Sequence, residues 1–190
     1  MPRVSEAFEI RTSRLRIRPW RDDDFDPYAA MNADPRVMEF FPSVLSREES
    51  QARFAQGHAR MAESGYGLWP VEVIGGAPFI GMVGLADPDF RAPFMPAVEI
   101  GWRLAAAHWG RGYATEAARA VLAYGFERLA LPEIVSFTTV ANVRSRRVME
   151  KLGMRRSPED DFLHPKLPEG HPVRPHVLYR LRRSDFRPGA

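Results

Sequence analysis

Hydrophobic and polar positions change period several times along the chain. Leu15, Ile17 and Pro19 alternate with Arg14, Arg16 and Arg18, a period of two that predicts a strand with one wet face. Residues 1–13 before it read as an arm. Asp22-Asp23-Asp24 offers an N-cap and an acidic first turn to a short helix through Met31 and Asn32. Asp34-Pro35 opens a further short turn over 36–41. Ser46-Arg47-Glu48-Glu49 is a capping box and predicts a helix to about Ser64, with Phe54 and Met61 on one face. Residues 69–74 and 79–85 read as a hairpin across Gly75-Gly76. Residues 87–96 hold three prolines and read as a loop.

The pattern sharpens after that loop. Over 97–104, Val98, Ile100, Trp102 and Leu104 share one face of a predicted strand, and Glu99, Gly101 and Arg103 share the other. From Thr115 to Leu129 the spacing is helical, with Ala118, Val121, Leu122, Gly125 and Phe126 on the apolar side and Pro132 as the stop. Ile134, Phe137 and Thr139 mark another strand. Asn142 caps a helix to Leu152, which Gly153 ends. Residues 157–175 carry five prolines with His164 and His171, a long connector that we expect to act as a lid or a surface loop. Residues 176–181 return as a last strand. The spacing of His164, His171 and His176 matches no standard ligand pattern, so no metal is expected.

Between the strand at 97–104 and the helix lies Trp109-Gly110-Arg111-Gly112-Tyr113-Ala114-Thr115-Glu116-Ala117. Two glycines permit a sharp turn and close approach to the backbone. The first amides of the helix lack internal partners, and its dipole makes that end positive. Such a turn can cradle phosphate, and Arg111 adds a charged fork. It is not a Walker A loop, because no Gly-Lys-Ser/Thr ends it. It is not a dinucleotide fingerprint either, because Thr115 stands where the third small residue belongs.

The longer string resembles the coenzyme A loop of the GNAT superfamily of acyl-CoA N-acyltransferases, especially the branch that includes the ribosomal-protein N-acetyltransferases. The family loop reads Gln/Arg-x-x-Gly-x-Gly/Ala, and here Trp109 replaces its first residue. The resemblance spans roughly residues 10–182 and implies one α+β domain over 1–190. The implied sheet is mixed and mostly antiparallel, of about six to seven strands flanked by about four helices. Its fourth and fifth strands are parallel and splayed. Acetyl-CoA is the implied co-substrate. Its pantetheine arm would lie beside Trp102, Arg103 and Leu104. Its pyrophosphate would sit on Gly110, Arg111, Gly112, Tyr113, Ala114 and Thr115, and Asn142 would touch the arm. Met38, Phe40 and Phe41 with the helix after Ser46 would wall the acceptor groove, although an aromatic pair such as Phe40-Phe41 is more often core packing.

An amine attacking a thioester must be neutral, and the oxyanion and the departing thiolate both need help. By resemblance, an amide near 100–102 stabilises the oxyanion and Glu99 is the first candidate for the base. Glu72 is the second. Ser145, three residues after Asn142, stands where a hydroxyl could protonate the leaving thiolate; Tyr113 and Tyr179 stay open for that role. Arg146, Arg147 and Lys151 could meet the adenine or 3′-phosphate, or form a solvated basic face. The acceptor is open among a protein N-terminus, a polyamine, an amino sugar and an amino acid. An α-amine, with pKa about 8, asks less of a base than a lysine. A coenzyme A-binding module without turnover is the competing class.

Composition adds exclusions. The 190 residues are 45% hydrophobic and 27% charged, ordinary for one globular domain. A net charge of +3, with no basic patch interleaved with aromatics, gives no reason to expect nucleic-acid binding. The absence of cysteine excludes disulfides, thiolate metal sites and a cysteine nucleophile. The first residues lack a signal-peptide core, and the run 71–86 contains Glu72 and Pro78, so a cytoplasmic protein without a membrane partner, a monomer or homodimer, is the expectation.

Overall fold

The computed structural model describes residues 8–188. In chain order it contains β1 (Ile10–Arg11), β2 (Leu15–Ile17), α1 (Phe25–Ala33), α2 (Arg47–Ser64), β3 (Leu68–Val73), β4 (Gly81–Ala86), β5 (Glu99–Leu104), α3 (Tyr113–Glu127), β6 (Glu133–Thr139), α4 (Val143–Lys151), β7 (Arg155–Arg156), β8 (Phe162–Leu163) and β9 (Pro175–Arg182). The strands form one nine-stranded sheet in the order β1-β2-β3-β4-β5-β6-β9-β7, with β8 also on β9. Every pairing is antiparallel except β5 with β6. The sheet exceeds the expected six to seven strands because three two-residue segments add short ladders. One of them, β1, lies inside the expected N-terminal arm; residues 1–7 of that arm are outside the described residues.

Alternation along the strands explains the layers. Leu15, Ile17, Val71, Val83, Leu85 and Ile100 point to one face, where Ala118, Val121, Leu122 and Phe126 of α3 close the main core. Phe79 and Met82 point to the other face and meet Tyr28, Met31, Val37 and Met38. Gly84 must be glycine where β4 passes the residue before β3, because a Cβ there would sit 1.8 Å from the Gly67 carbonyl oxygen.

Helix ends follow local chemistry. Ser46 and Glu49 form the capping box of α2, with Glu49 N–H donating to Ser46 Oγ at 3.1 Å. Gly65, at φ 79°, ends that helix. Helix α3 begins at Tyr113, two residues before the expected Thr115, since Gly112 at φ 78° already turns the chain into it. Phe40 and Phe41 are not core. Phe41 is 37% exposed and lies under the Arg103 guanidinium at 4.2 Å. Residues 157–175 are tied down: Asp160 accepts from Arg180 at 2.7 Å and Lys166 pairs with Asp89 at 2.6 Å. Phe162 enters a cluster with Phe94, Phe137 and His176.

Beside the hairpin, Arg18 is only 2% exposed. It donates to both carboxylate oxygens of Asp24 at 2.7 and 2.8 Å, to Glu72 at 2.9 Å and to the Pro78 carbonyl at 2.6 Å. A buried ion network of this kind is costly to break, since the partners keep their charge without compensation. Arg18→Ala is expected to lower unfolding free energy by about 3–5 kcal/mol in urea titration. A loss below about 1 kcal/mol would contradict this role.

Candidate active site

The site begins where β5 and β6 part. Their parallel register holds only at Glu99 with Val135, secured by Val135 N–H donating to the Val98 carbonyl at 2.9 Å. Past that point Ser136 Oγ, not a backbone amide, donates to the Ile100 carbonyl at 2.9 Å. Further along, Trp109 Nε1 donates to the Leu104 carbonyl at 2.8 Å. The carbonyls of Val98, Ile100 and Leu104 therefore all face the β6 side. By the period of two, Trp102 turns its N–H and C=O to the same side, and β6 offers them no partner. Arg103 alternates the other way, toward Met82 of β4, so its backbone is not on the open edge.

The glycine turn lies beyond the end of this edge. Gly110 and Gly112 have φ of 74° and 78°, and Gly112 caps α3 without any side-chain bond. The first amide of the turn with an acceptor is Glu116, bonded to the Gly112 carbonyl at 3.0 Å. The amides of Gly110, Arg111, Gly112, Tyr113, Ala114 and Thr115 have no acceptor among the described residues. Six orphan donors at a positive helix end form an anion cradle. A surface cavity of about 570 Å³ beside it is lined in part by Gly112, Thr115, Arg119 and Lys151.

Two residues far apart in sequence brace this turn. Glu116 accepts from Thr12 Oγ1 at 2.6 Å and from Arg14 Nε at 2.7 Å, and Arg14 donates onward to the Arg111 carbonyl at 3.1 Å. The Glu116 charge at the cradle is thereby neutralised. Sequence reasoning missed this clamp because nothing local marks it. It also left Trp109 without a role. The indole closes the end of β5, and the Arg144 guanidinium lies 4.6 Å from its ring.

The structure brings Glu99 and the α4 N-terminus to the parting but not Glu72. Glu72 sits on β3 opposite Arg16. It accepts from Arg16 at 3.0 Å, Arg18 at 2.9 Å and Arg21 at 3.4 Å, so its lone pairs serve an arginine cage. Glu99 is half-buried and has no hydrogen-bond partner among the described residues. Burial, and then the nearby Asp89 charge, push its pKa up to about 8. Asn142 is held at both ends: its Oδ1 accepts from Ser145 N–H at 3.1 Å and its Nδ2 donates to Thr138 Oγ1 at 3.0 Å. The Ser145 hydroxyl has no partner among the described residues, whereas Tyr179 donates to Glu150 at 3.1 Å and accepts from Arg146. Tyr113 packs under Arg14 at 4.8 Å.

The raised pKa has a stability consequence. Between about 4.5 and about 8 the folded protein keeps a proton on Glu99 that the unfolded chain has lost, so unfolding free energy falls as pH rises through that window. Glu99→Gln removes the loss. Its melting temperature is expected to exceed that of the parent at about pH 9, with little difference at about pH 5. An equal difference at both would show that burial does not raise this group.

Comparison with known proteins agrees with this geometry. A family model described as an acetyltransferase (GNAT) domain matches residues 14–155. The chain is 31% identical to an uncharacterized N-acetyltransferase of Bacillus subtilis, YnaD, over 93% of this chain and 98% of that one. It superposes on a GNAT-family acetyltransferase from Bacillus anthracis with a TM-score of 0.76 at 28% identity, covering 93% of this chain and 99% of the other. A ribosomal-protein-S5-alanine acetyltransferase from Vibrio fischeri shares the fold, with a TM-score of 0.73 at 18% identity over 95% and 99% of the two chains. With a family model covering most of its length and the parted strands and glycine turn in place, the chain belongs to the GNAT acetyltransferases.

Proposed function

We propose that this protein transfers an acetyl group from acetyl-CoA directly to a primary amine, both substrates being held at once. The observation that carries this reading is a pair of unpartnered donor groups close together in the chain, Trp102 on the open edge of β5 and the amides of 110–115. An extended amide-bearing arm that ends in a pyrophosphate has the chemistry to satisfy both. Acetyl-CoA, when bound, supplies the activated acyl carbon.

The chain's own residues divide the remaining work. The Gly110–Thr115 amides and Arg111 hold phosphate oxygens. Trp102 and the amide of Leu104 align the arm, while Asn142, pinned by Thr138 and Ser145, presents a fixed amide beside it. The amide of Trp102 on the open edge is placed to meet charge developing on a carbonyl oxygen. Glu99 takes the proton from the attacking amine, directly or through a water. A base titrating near 8 is well matched to an α-amine that is itself partly neutral at that pH. The free Ser145 hydroxyl donates a hydrogen bond to the leaving sulfur, which departs as a thiolate and takes its proton from solvent. Glu72, engaged by three arginines, takes no part. A primary α-amine, on a peptide N-terminus or a small molecule, is the acceptor this equipment suits.

The test is thiol release from acetyl-CoA with amines and N-terminal peptides. kcat/KM is expected to climb with pH through about 8. Glu99→Gln should cut kcat about 10²–10⁴-fold and flatten that profile while leaving acetyl-CoA affinity intact. Saturable acetyl-CoA binding without release against a broad panel would point instead to a coenzyme A-binding module. Full activity in Glu99→Gln would remove Glu99 as the base.

A further inference from the structure

The face of β5 that carries Glu99 also carries a cation with no anion among the described residues. Arg103 shares its face with Glu99 and Gly101, on the side of the sheet covered by α1 and α2. Its Nη1 donates to Asn32 Oδ1 at 2.7 Å, and its guanidinium rests on the Phe41 ring. Nε is shielded from solvent and has no partner, and Nη2 makes no hydrogen bond among the described residues. Burial pushes the pKa of Arg103 down to about 10, which leaves it charged at neutral pH, and the neighbouring Arg53 pushes in the same direction. Neither Arg103 nor Arg53 forms an ion pair among the described residues, whereas Arg16, Arg18 and Arg180 each hold carboxylates. A half-buried guanidinium with an unused donor is costly unless something binds it.

We infer that Arg103 reads the acceptor, and that the acceptor is an amine that also carries a carboxylate, held by the unused Nη2 of the guanidinium. This rests on the transferase reading above. A guanidinium N–H without a protein acceptor gives a carboxylate oxygen a charge-assisted hydrogen bond. The charge along the groove has the matching order. Glu99 and Asp89 lie at one end, Arg103 and Arg53 at the other. Glu99 and Arg103 are four strand residues apart, about 13 Å between their Cα atoms, and the Glu99 carboxylate leans back over Gly101, its Oε1 3.9 Å from where a Cβ there would stand. An aminocarboxylate lies along this gradient with its amine toward Glu99. A polyamine would bring further cations to Arg103 and Arg53, and a neutral amino sugar would leave Arg103 Nη2 unsatisfied.

The test compares matched acceptors: α-amino acids against their carboxamides, and peptides with Glu or Gln at the second position. Wild-type kcat/KM is expected to favour the carboxylate member by at least about tenfold. Arg103→Gln should abolish that preference, mainly through KM, and Arg103→Lys should restore part of it, since it keeps the charge without the fork. Equal use of acid and amide by the wild type, or an equal fall for both in Arg103→Gln, would overturn the inference. If no acceptor releases thiol, the transferase reading fails by itself. Calorimetric binding of the same pairs to the protein saturated with coenzyme A then decides this one: tighter binding of the carboxylate, lost in Arg103→Gln, supports it, and equal binding overturns it.

Discussion

The site depends on one departure from the rule that strands pair along their length. Backbone donors and acceptors in a sheet seek partners, and an unpaired edge inside a fold is costly. Here β5 and β6 share a single register position and then separate. The parting is propped by side chains rather than by ladder bonds. Ser136 reaches the Ile100 carbonyl and Trp109 closes the Leu104 carbonyl. What is left over, around Trp102, is a short length of edge with no partner among the described residues, a few positions before the orphan amides that open α3. Two deficits of hydrogen bonding, one of a strand and one of a helix, therefore lie within about a dozen residues of each other in the chain, and one elongated ligand has the chemistry to meet both.

Charge is sorted around that gap. Several arginines are spent on structure: Arg18 on Asp24 and Glu72, Arg180 on Asp160 and Glu133, Arg14 on Glu116. These pairs lock the hairpin, the loop at 157–175 and the glycine turn. The groove face of β5 is different. Among the described residues Glu99 lacks a hydrogen-bond partner and Arg103 lacks an anion, and both are shifted toward their neutral forms by burial. Unpaired charge in a part-buried groove is the condition under which a group can act on a ligand rather than on the fold.

Much of this was legible in the sequence because it is written locally. The Ser46 capping box, the Asn142 cap and the two left-handed glycines each depend on residues within a few positions, and all stand where the pattern places them. Glu99 came from the family resemblance rather than from the pattern, as the acidic position on the strand leading into the glycine turn. Contacts between distant segments were not legible. Glu72 looked as free as Glu99 in one dimension, and only folding brings Arg16 and Arg18, 56 and 54 residues away, onto it. Phe41 read as core, yet it lies beneath an arginine 62 positions further along, a stacking that no period encodes. The clamp of Arg14 on Glu116 spans 102 residues. Trp109 broke the motif, and its reason appears only once its indole is seen to close β5.

The most direct measurement of the central idea is a titration of the ¹⁵N-labelled protein with coenzyme A, followed through backbone amide shifts. The account predicts saturable, concerted shifts at Trp102 and across Gly110, Gly112 and Thr115, with Glu72 and its arginines unmoved. Absence of any shift at the glycine turn under saturating ligand, or shifts confined to another surface, would contradict it.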